Sequence, residues 1–381
     1  MLLNQMLDAT LRTQTPLLVW GPPGVGKTAE ITAWSARRAL PCWVVIASLR
    51  DPSDFGGLPI VGRSDDGTAC VSFAPPRFAT EAAAKGGVIF LDELTTAPPA
   101  VQGALLRAVM DKAFGDLALD PRKVMIVAAA NPPNLAAGGW DLAAPLANRF
   151  VHHEHQLIAA DWIEAFPDYW GAAPTLAFGS EGLAEADWAQ ARSLVTAFIR
   201  ARPELLLQVP QDAASSGGPW PSPRTWEYTS RFFADGRQQG LMPPDLLPLV
   251  SGCVGEGPAL EFVNWVLELD LPDPEVLLAD PAAYRHPSRG DQVYAVLNSV
   301  TQAALGRLDA RRWQAAWAVL ARAADAGGAD IGAAAARRLA GKYNAKLKLP
   351  VREMAAFVPM LAAAGLMPGA GEGGRDHDQD V

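Results

Sequence analysis

The 381-residue sequence contains no apolar run that approaches the roughly 18–20 residues needed to cross a bilayer. Cysteine is scarce: three residues are scattered along the chain, so no disulfide framework is expected. The first residues show no basic segment followed by an apolar core and a cleavage site. Together these absences favour a location in a reducing cytoplasm over secretion or membrane insertion.

An excess of basic residues is also missing, since the net charge is −9 and the pI is near 5.1. This balance disfavours a generally basic nucleic-acid-binding protein, although a local basic strip would be compatible with it. Half of the residues are hydrophobic and 19% are charged, as in a globular protein. The length allows two or three domains with cores of their own.

A glycine-rich loop follows the apolar run of residues 16–20. Its eight residues are Gly21, Pro22, Pro23, Gly24, Val25, Gly26, Lys27 and Thr28. Glycines let consecutive backbone N–H groups point towards an anion, and the N-terminus of a following helix over 29–40 adds partial positive charge. Lys27 supplies a cation for outer phosphates, and the Thr28 hydroxyl is placed to bind Mg²⁺. The alternative is a turn that happens to precede a lysine, but the strand and helix around it favour a nucleotide-binding loop.

Strand and helix patterns alternate over residues 1–158, which predicts an α/β core with a five-stranded parallel sheet. Four of the strands are short continuous apolar runs, as expected when both faces of a sheet are covered. A helix over 99–112 has apolar residues at helical spacing. The predicted strands are 17–20, 43–47, 88–92, 124–130 and 150–156.

Residues 58–73 interrupt this alternation with two apolar stretches around Asp65-Asp66-Gly67. Such a turn between apolar segments predicts a β-hairpin that projects from the sheet. An irregular loop is the alternative.

Helical patterns separated by Pro/Gly loops occupy the chain beyond about residue 160. We predict an all-helical lid over 159–284 and a C-terminal helical domain of unknown role over 285–366. The last residues, 367–381, are rich in glycine and charge and are predicted to be disordered. The predicted helices are 185–201, 224–234, 259–267, 292–305, 311–324, 331–347 and 351–364.

Asp92 and Glu93 end the apolar strand at 88–92. Ligands bind at the carboxyl ends of strands in open α/β sheets. Asp92 would hold Mg²⁺ through its water shell, and Glu93 would act as a general base on water. An ordinary acidic strand end is the alternative.

Three further polar residues are candidates because of where they lie in the predicted elements. Asn131 follows the strand at 124–130 and could orient water, although an Asn before Pro132 also begins turns. Arg149 precedes the last strand and could reach a phosphate of a neighbouring subunit. Arg224 follows Ser222-Pro223 in the first turn of a helix, where a cation opposes the helix dipole and suggests an anionic ligand. A plain surface arginine is the alternative for both arginines.

The order of GPPGVGKT, VIFLDE, the strand-end Asn131, ANRF and SPRTW resembles that of AAA+ ATPases, and within them of the MoxR group. The segment DPSDFGG before the hairpin is similar to the helix-2 insert of that group, and TTAPPAVQGALLRAV is similar to the helix after its Walker B strand. The resemblance covers about residues 15–235.

This resemblance implies that the loop is Walker A, that Asp92 and Glu93 belong to Walker B, and that ATP and Mg²⁺ are bound. It also implies that Asn131 is sensor 1, Arg149 an arginine finger and Arg224 sensor 2. A homo-oligomeric ring, expected to be a hexamer, and a chaperone-like role with a client are implied too. The partner would be a von Willebrand A domain protein, and the hairpin would be a pore or partner element.

Two other functions stay open at this point. One is a nucleotide-dependent switch or adaptor that hardly hydrolyses ATP, against which the intact Glu93 argues. The other is a DNA-linked motor subunit, which the negative net charge disfavours. The cluster His152, His153, Glu154 and His155 is not expected to bind metal, because a closed zinc site usually needs four ligands and the cysteines are not near in sequence. Only twenty residues precede Gly21, so adenine contacts are expected from residues 2–13 or the lid.

Overall fold

The computed structural model describes residues 3–64, 66–132, 135, 139–169, 182–269, 271–344 and 346–366. The segment 367–381, predicted to be disordered, lies outside the described residues. The described residues form two compact units. The first comprises the described parts of Met1–Leu157 together with Val209–Ser216, and the second those of Ile158–Gln208 and Gly217–Val381.

All described strands belong to the first unit. They are β1 (Leu17–Trp20), β2 (Cys42–Ile46), β3 (Leu58–Arg63), β4 (Ala69–Ala74), β5 (Gly87–Asp92), β6 (Ala113–Phe114), β7 (Leu117–Ala118), β8 (Val124–Ala130) and β9 (Val151–Glu154). Five of them form a parallel sheet in the order β2-β5-β8-β1-β9. This sheet confirms the predicted fold class.

The helices of the first 157 residues are α1 (Leu3–Thr13), α2 (Lys27–Arg37), α3 (Ser53–Gly56), α4 (Arg77–Lys85), α5 (Pro99–Met110) and α6 (Ala144–Ala147). Later helices are α7 (Ala159–Tyr169), α8 (Glu185–Ala201), α9 (Ala213–Ser216), α10 (Pro223–Gln238), α11 (Leu247–Val254), α12 (Glu256–Glu268), α13 (Pro274–Ala279), α14 (Gly290–Gly306), α15 (Ala310–Ala323), α16 (Ala329–Ala340), α17 (Val351–Met354) and α18 (Val358–Ala363).

Both faces of the parallel sheet are covered by helices. Alternate residues along each strand, such as Leu18 and Ile89, point to one face of the sheet and lie in a core with Leu105 of α5. The residues between them, such as Phe90, lie in a second core with Trp34 of α2 and with Leu3 and Leu7 of α1. Because successive side chains of a strand point to opposite faces, strands covered on both sides need continuous apolar sequence. This is why the central strands read as uninterrupted apolar runs.

Two antiparallel hairpins accompany the sheet, β3 with β4 and β6 with β7. The first is the predicted hairpin at 58–73, and its strands are exposed along almost their whole length. The second was not predicted, because two-residue strands carry no period-2 signal. The hairpins meet at their bases, where Asp116 N donates to Phe73 O over 2.9 Å and Phe73 N donates to Asp116 Oδ2 over 2.6 Å.

The second unit is helical and contains two groups of buried aromatic residues. Phe198 of α8, Trp226 of α10 and Phe262 of α12 contact one another, with ring centroids 5.1–5.6 Å apart. Trp313 and Trp317 of α15 lie in a separate core formed by α13–α18. These buried rings agree with a packing role for tryptophan rather than stacking on bases.

One predicted helix, over 331–347, is wrong at its end. The helix α16 stops at Ala340, and Gly341, a poor helix former, begins a turn. No helix among the described residues is both long and apolar enough to cross a membrane.

Candidate functional site

The glycine-rich loop joins β1 to α2 at the carboxyl end of the sheet. Gly24 and Gly26 have φ of 76° and 95°, in the left-handed region that glycine adopts readily. Gly26 precedes α2, whose first turn receives no hydrogen bond from a capping side chain. The first N–H groups of a helix lack partners within the helix and carry partial positive charge, so this end of α2 suits an anion.

Lys27 is buried, and its ammonium group lies between the loop and the end of β8. It donates hydrogen bonds to the carbonyls of Gly21 and Pro22 over 2.6 and 2.9 Å. It also donates to Asn131 Oδ1 over 2.8 Å. Lys27 and Asn131, 104 residues apart in sequence, therefore meet at one point.

Thr28 and Asp92 form the next contact, in which Thr28 Oγ1 donates to Asp92 Oδ2 over 2.6 Å. Asp92 ends β5 and is partly buried. Both side chains offer hard oxygen atoms, which are the ligands that Mg²⁺ prefers. The donor set therefore fits a magnesium ion.

Glu93 follows Asp92 in a left-handed backbone conformation, with φ 56° and ψ 43°. Its side chain is exposed, and Oε2 accepts a hydrogen bond of 3.1 Å from Ser48 Oγ. Its backbone N–H donates to Asp92 Oδ1 over 2.9 Å. A non-glycine residue with positive φ is uncommon and is often found at functional sites. The carboxylate is thus open to solvent next to the Thr28–Asp92 pair.

The backbone of Asn131 is tied to the segment after β5. Its carbonyl accepts a hydrogen bond of 3.1 Å from Thr95 Oγ1, and Thr95 is fully buried. The ends of β5 and β8 are therefore connected both through side chains and through backbone, which limits how Asn131 can move.

His155 and Glu30 lie on the other flank of the loop. His155 follows β9, its N–H donates to Trp20 O over 2.7 Å, and its Nε2 is 3.6 Å from Glu30 Oε2. Burial, and then the positive charges of His153 and Lys27, lower the pKa of His155 to about 4. The ring is therefore neutral at neutral pH.

Arg149 makes its described hydrogen bond within its own segment. Its guanidinium Nη1 donates to the carbonyl of Pro145 in α6, and its Nε is buried without a hydrogen-bond partner. In the part of the chain that the structure describes, no hydrogen bond or ion pair joins Arg149 to Asp92, Glu93 or Asn131. Among the described residues, Arg149 therefore makes no direct hydrogen bond or ion pair with these three residues.

Arg224 belongs to the second unit, where it is exposed in the first turn of α10. This helix begins with a capping box: Ser222 Oγ accepts from Thr225 N, and Thr225 Oγ1 accepts from Ser222 N over 2.8 Å. Pro223 occupies the first helical position. The start of this helix is thereby fixed by its own sequence, and Arg224 is held at its positive end.

Both ring nitrogens of His152 have hydrogen-bond partners. His152 Nδ1 accepts from Trp20 Nε1 over 2.9 Å, while Nε2 lies 2.8 Å from Ala147 O. Across the described ranges, no group of three or more His, Cys, Asp or Glu residues could hold a metal ion.

Sequence reasoning did not single out Ser48 or Glu30 and considered His155 only as a metal ligand. The contacts of Ser48 and His155 become visible only once strands are neighbours: Ile46 of β2 pairs with Asp92, and Trp20 of β1 pairs with Glu154. These contacts could have been predicted only from the order of the strands in the sheet, which was not predicted from the amino-acid sequence.

Residues 16–150 match the family of AAA domains of the dynein-related subfamily. The matched range includes the loop at 21–28 together with Asp92, Glu93, Asn131 and Arg149. An AAA domain therefore occupies this part of the chain.

Several solved structures are similar to the chain. One, from Cytophaga hutchinsonii and provisionally described as an ATPase, is 16% identical, with 70% of this chain and 87% of that one covered and a TM-score of 0.31. NtrX from Brucella abortus is 20% identical, with 61% and 51% covered and a TM-score of 0.31. A RuvB mutant from Thermotoga maritima is 19% identical, with 80% of each chain covered and a TM-score of 0.31. No curated protein matches the chain.

Proposed function

We propose, from the AAA domain at residues 16–150, that this protein is a Mg²⁺-dependent ATPase of the AAA+ class. One observation carries the proposal: Lys27 bonds to Asn131, and Thr28 bonds to Asp92, with the exposed Glu93 as the next residue. A phosphate-binding lysine, a pair of metal-binding oxygens and a carboxylate open to water are the parts that phosphoryl transfer to water requires.

Phosphate binding is assigned to the loop at 21–28. The backbone N–H groups at the start of α2 and the ammonium of Lys27 provide positive charge where the β- and γ-phosphates would lie. Lys27 now donates to three oxygen atoms, and phosphate oxygens would take over part of this bonding. Thr28 and Asp92 would hold Mg²⁺. When bound, the ion neutralises charge on the phosphate oxygens.

Hydrolysis is assigned to Glu93 and Asn131. Glu93 would accept a proton from the attacking water, since its carboxylate is exposed beside Asp92. The Asn131 amide presents both a donor and an acceptor, so it can orient water or a γ-phosphate oxygen. Its contact with Lys27 places it at the same end of the loop.

The site is proposed to be completed by Arg149 of a neighbouring subunit in a homo-oligomeric ring, expected to be a hexamer. Within the described residues Arg149 contacts Pro145 and makes no hydrogen bond to Asp92, Glu93 or Asn131 of its own chain, which supports action in trans, where a guanidinium would stabilise charge developing on the phosphate. Arg224 is proposed as a lid residue that senses the nucleotide. Its exposed position at the positive end of α10 supports an anionic ligand.

We further propose that the protein is of MoxR type and acts like a chaperone in the cytoplasm. It would remodel a client protein, with a von Willebrand A domain protein as partner. The helix-2-insert-like segment and the β3–β4 hairpin support it. The hairpin exposes several large apolar side chains, with Val61 at 80% and Leu58 at 62% exposure. Apolar surface of this kind is typical of protein-binding elements.

Glu93→Gln tests the hydrolytic assignment. We expect ATP turnover to fall by about 10²- to 10⁴-fold, because the general base is lost while the loop is untouched. ATP affinity should stay within about threefold of wild type, whereas Lys27→Ala should weaken binding itself. Steady-state phosphate release and calorimetric titration measure the two properties. Turnover that survives in Glu93→Gln would show that hydrolysis does not depend on this carboxylate.

A further inference from the structure

The strand order defines two chemically different flanks of the glycine-rich loop. Asp92 ends β5 and Asn131 follows β8, and both strands lie on one side of β1 in the order β2-β5-β8-β1-β9. The groups assigned to the γ-phosphate and to Mg²⁺ are therefore on this side. A triphosphate bound in an extended form with its γ-phosphate on this side would carry its α-phosphate and the attached sugar towards the opposite side, where β9 ends.

That opposite flank is formed by His155 and Glu30. A Cβ atom added to Gly21 would lie 3.1 Å from the carbonyl oxygen of His155 and 3.5 Å from Lys27 Cδ, so His155 borders the first residue of the loop. Glu30 lies in the first turn of α2, three residues after Lys27. The side chains of His155 and Glu30 are 12% and 25% exposed, so both face inwards rather than into bulk water.

The charges on this flank do not suit a phosphate. Glu30 is acidic, and His155 is neutral at neutral pH, so neither attracts an anion. A carboxylate accepts hydrogen bonds through two oxygen atoms, and a neutral imidazole offers one donor and one acceptor. The sugar, which follows the α-phosphate directly, brings two neighbouring hydroxyl groups that can donate. In dinucleotide-binding folds an acidic residue binds ribose hydroxyls by the same chemistry.

We propose that Glu30 accepts hydrogen bonds from the ribose hydroxyls of the bound nucleotide, with His155 forming the adjoining wall. This assignment rests on the proposed nucleotide site and adds to it a side chain that selects ribonucleotides. It places a ribose contact on α2, in addition to the adenine contacts expected from residues 2–13 or the lid.

The test measures the affinity of the full-length chain, by calorimetry in EDTA so that no hydrolysis occurs, for five probes. They are ATP, 2′-deoxy-ATP, 3′-deoxy-ATP, inosine triphosphate and inorganic triphosphate. For the wild type, we expect at least one deoxy analogue to bind roughly tenfold more weakly than ATP, as for loss of a hydrogen bond to a charged group. Inosine triphosphate, which keeps the ribose and lacks the adenine amino group, should bind like ATP.

Glu30→Ala should weaken ATP binding roughly tenfold and bring ATP and its deoxy analogues to the same affinity. Inorganic triphosphate should bind this variant at least as well as wild type, because a nearby negative charge is gone. Glu154→Ala is the matched control: it removes the same charge at an exposed position of β9 and should change none of these affinities.

Other results would overturn the assignment. If wild type bound ATP and both deoxy analogues with equal affinity, the ribose hydroxyls would not be recognised. If only inosine triphosphate bound more weakly than ATP, the protein would recognise the base and not the ribose. Equal loss of ATP and inorganic triphosphate in Glu30→Ala would mean that Glu30 acts through the loop. A wild-type chain that binds neither ATP nor inorganic triphosphate would instead contradict the nucleotide site itself.

Discussion

Glu93 adopts a backbone conformation that a non-glycine side chain rarely takes, and its carboxylate has Ser48 as a neighbour. Such a conformation costs on the order of 1–3 kcal/mol and persists where the surroundings impose it. The register of β2 with β5 places Ser48, two residues beyond Ile46, next to Glu93, one residue beyond Asp92. Ser48 is thus a positioning residue for the proposed general base.

Ser48→Ala tests this positioning role. We expect kcat for ATP hydrolysis to fall by about threefold to tenfold, because the exposed carboxylate loses a hydrogen bond that orients it. The KM for ATP should change little, since Ser48 contacts a residue assigned to hydrolysis and not to phosphate binding. Steady-state kinetics gives both values, and Ser48→Thr, which keeps the hydroxyl, should restore the rate. An unchanged or increased kcat in Ser48→Ala would contradict the role.

At the level of residues, the sequence predicted functional residues where they are adjacent to one another in a short motif. The loop at 21–28 and the Asp92-Glu93 pair could be located because each is a local motif next to an apolar strand. Asn131 was less certain alone, and its contact with Lys27 depends on β8 lying beside β1. The roles of Ser48 and His155 could not be found, because their contacts follow from the strand order, and Glu30 becomes a candidate only through its contact with His155.

At the level of elements, the parallel sheet was predictable because its strands are covered on both faces and are apolar throughout. The helix α1 was not predicted, although its buried residues Leu3 and Leu7 follow helical spacing. Its sequence also contains polar residues of low helix propensity, such as Asn4 and Thr13, and its place is set by packing against Trp34. Tertiary packing, rather than local helix propensity, therefore determines that α1 is helical.

The base of the β3–β4 hairpin depends on glycines that leave no room for a side chain. Gly115, in the turn between β6 and β7, has φ +57°, and a Cβ there would lie 2.4 Å from the carbonyl oxygen of Phe73. Gly57, at the start of β3, has φ +86°, and its Cβ would lie 2.8 Å from the Cα of Gly115. The two hairpins are thus held together through backbone that approaches too closely for any larger residue.

Gly115→Ala should therefore destabilise the first unit by about 2 kcal/mol or more, because backbone must shift around the new methyl group. We expect a fall of about 4 °C or more in the midpoint of thermal unfolding followed by circular dichroism. Gly62→Ala in β3 is the control: no atom lies within 4 Å of its added Cβ, so its midpoint should match wild type. Similar midpoints for Gly115→Ala and Gly62→Ala would mean that the hairpin base is not close-packed.

At the level of the whole molecule, the residues assigned to the site fall into three groups. Lys27, Thr28, Asp92, Glu93 and Asn131 meet at one end of the sheet, and Arg224 belongs to the second unit. Arg149 belongs to the first unit, but within the described residues no hydrogen bond or ion pair joins it to this group. Assembly into a ring is implied by family resemblance and stays a prediction.

Mixing two inactive variants tests whether Arg149 acts between subunits. Arg149→Ala keeps Glu93 but cannot supply the arginine, and Glu93→Gln keeps the arginine but lacks the base, so each alone should have little ATPase activity. Mixed in equal amounts and allowed to exchange, they should recover up to about a quarter of wild-type activity. In a closed ring with random mixing, this is the share of interfaces that pair an intact Glu93 with an intact Arg149. Mixing Glu93→Gln with a Glu93→Gln, Arg149→Ala double variant is the control and should recover nothing, since no subunit carries the base. If Arg149 acted within its own chain, neither mixture would gain activity, because no polypeptide would contain both residues.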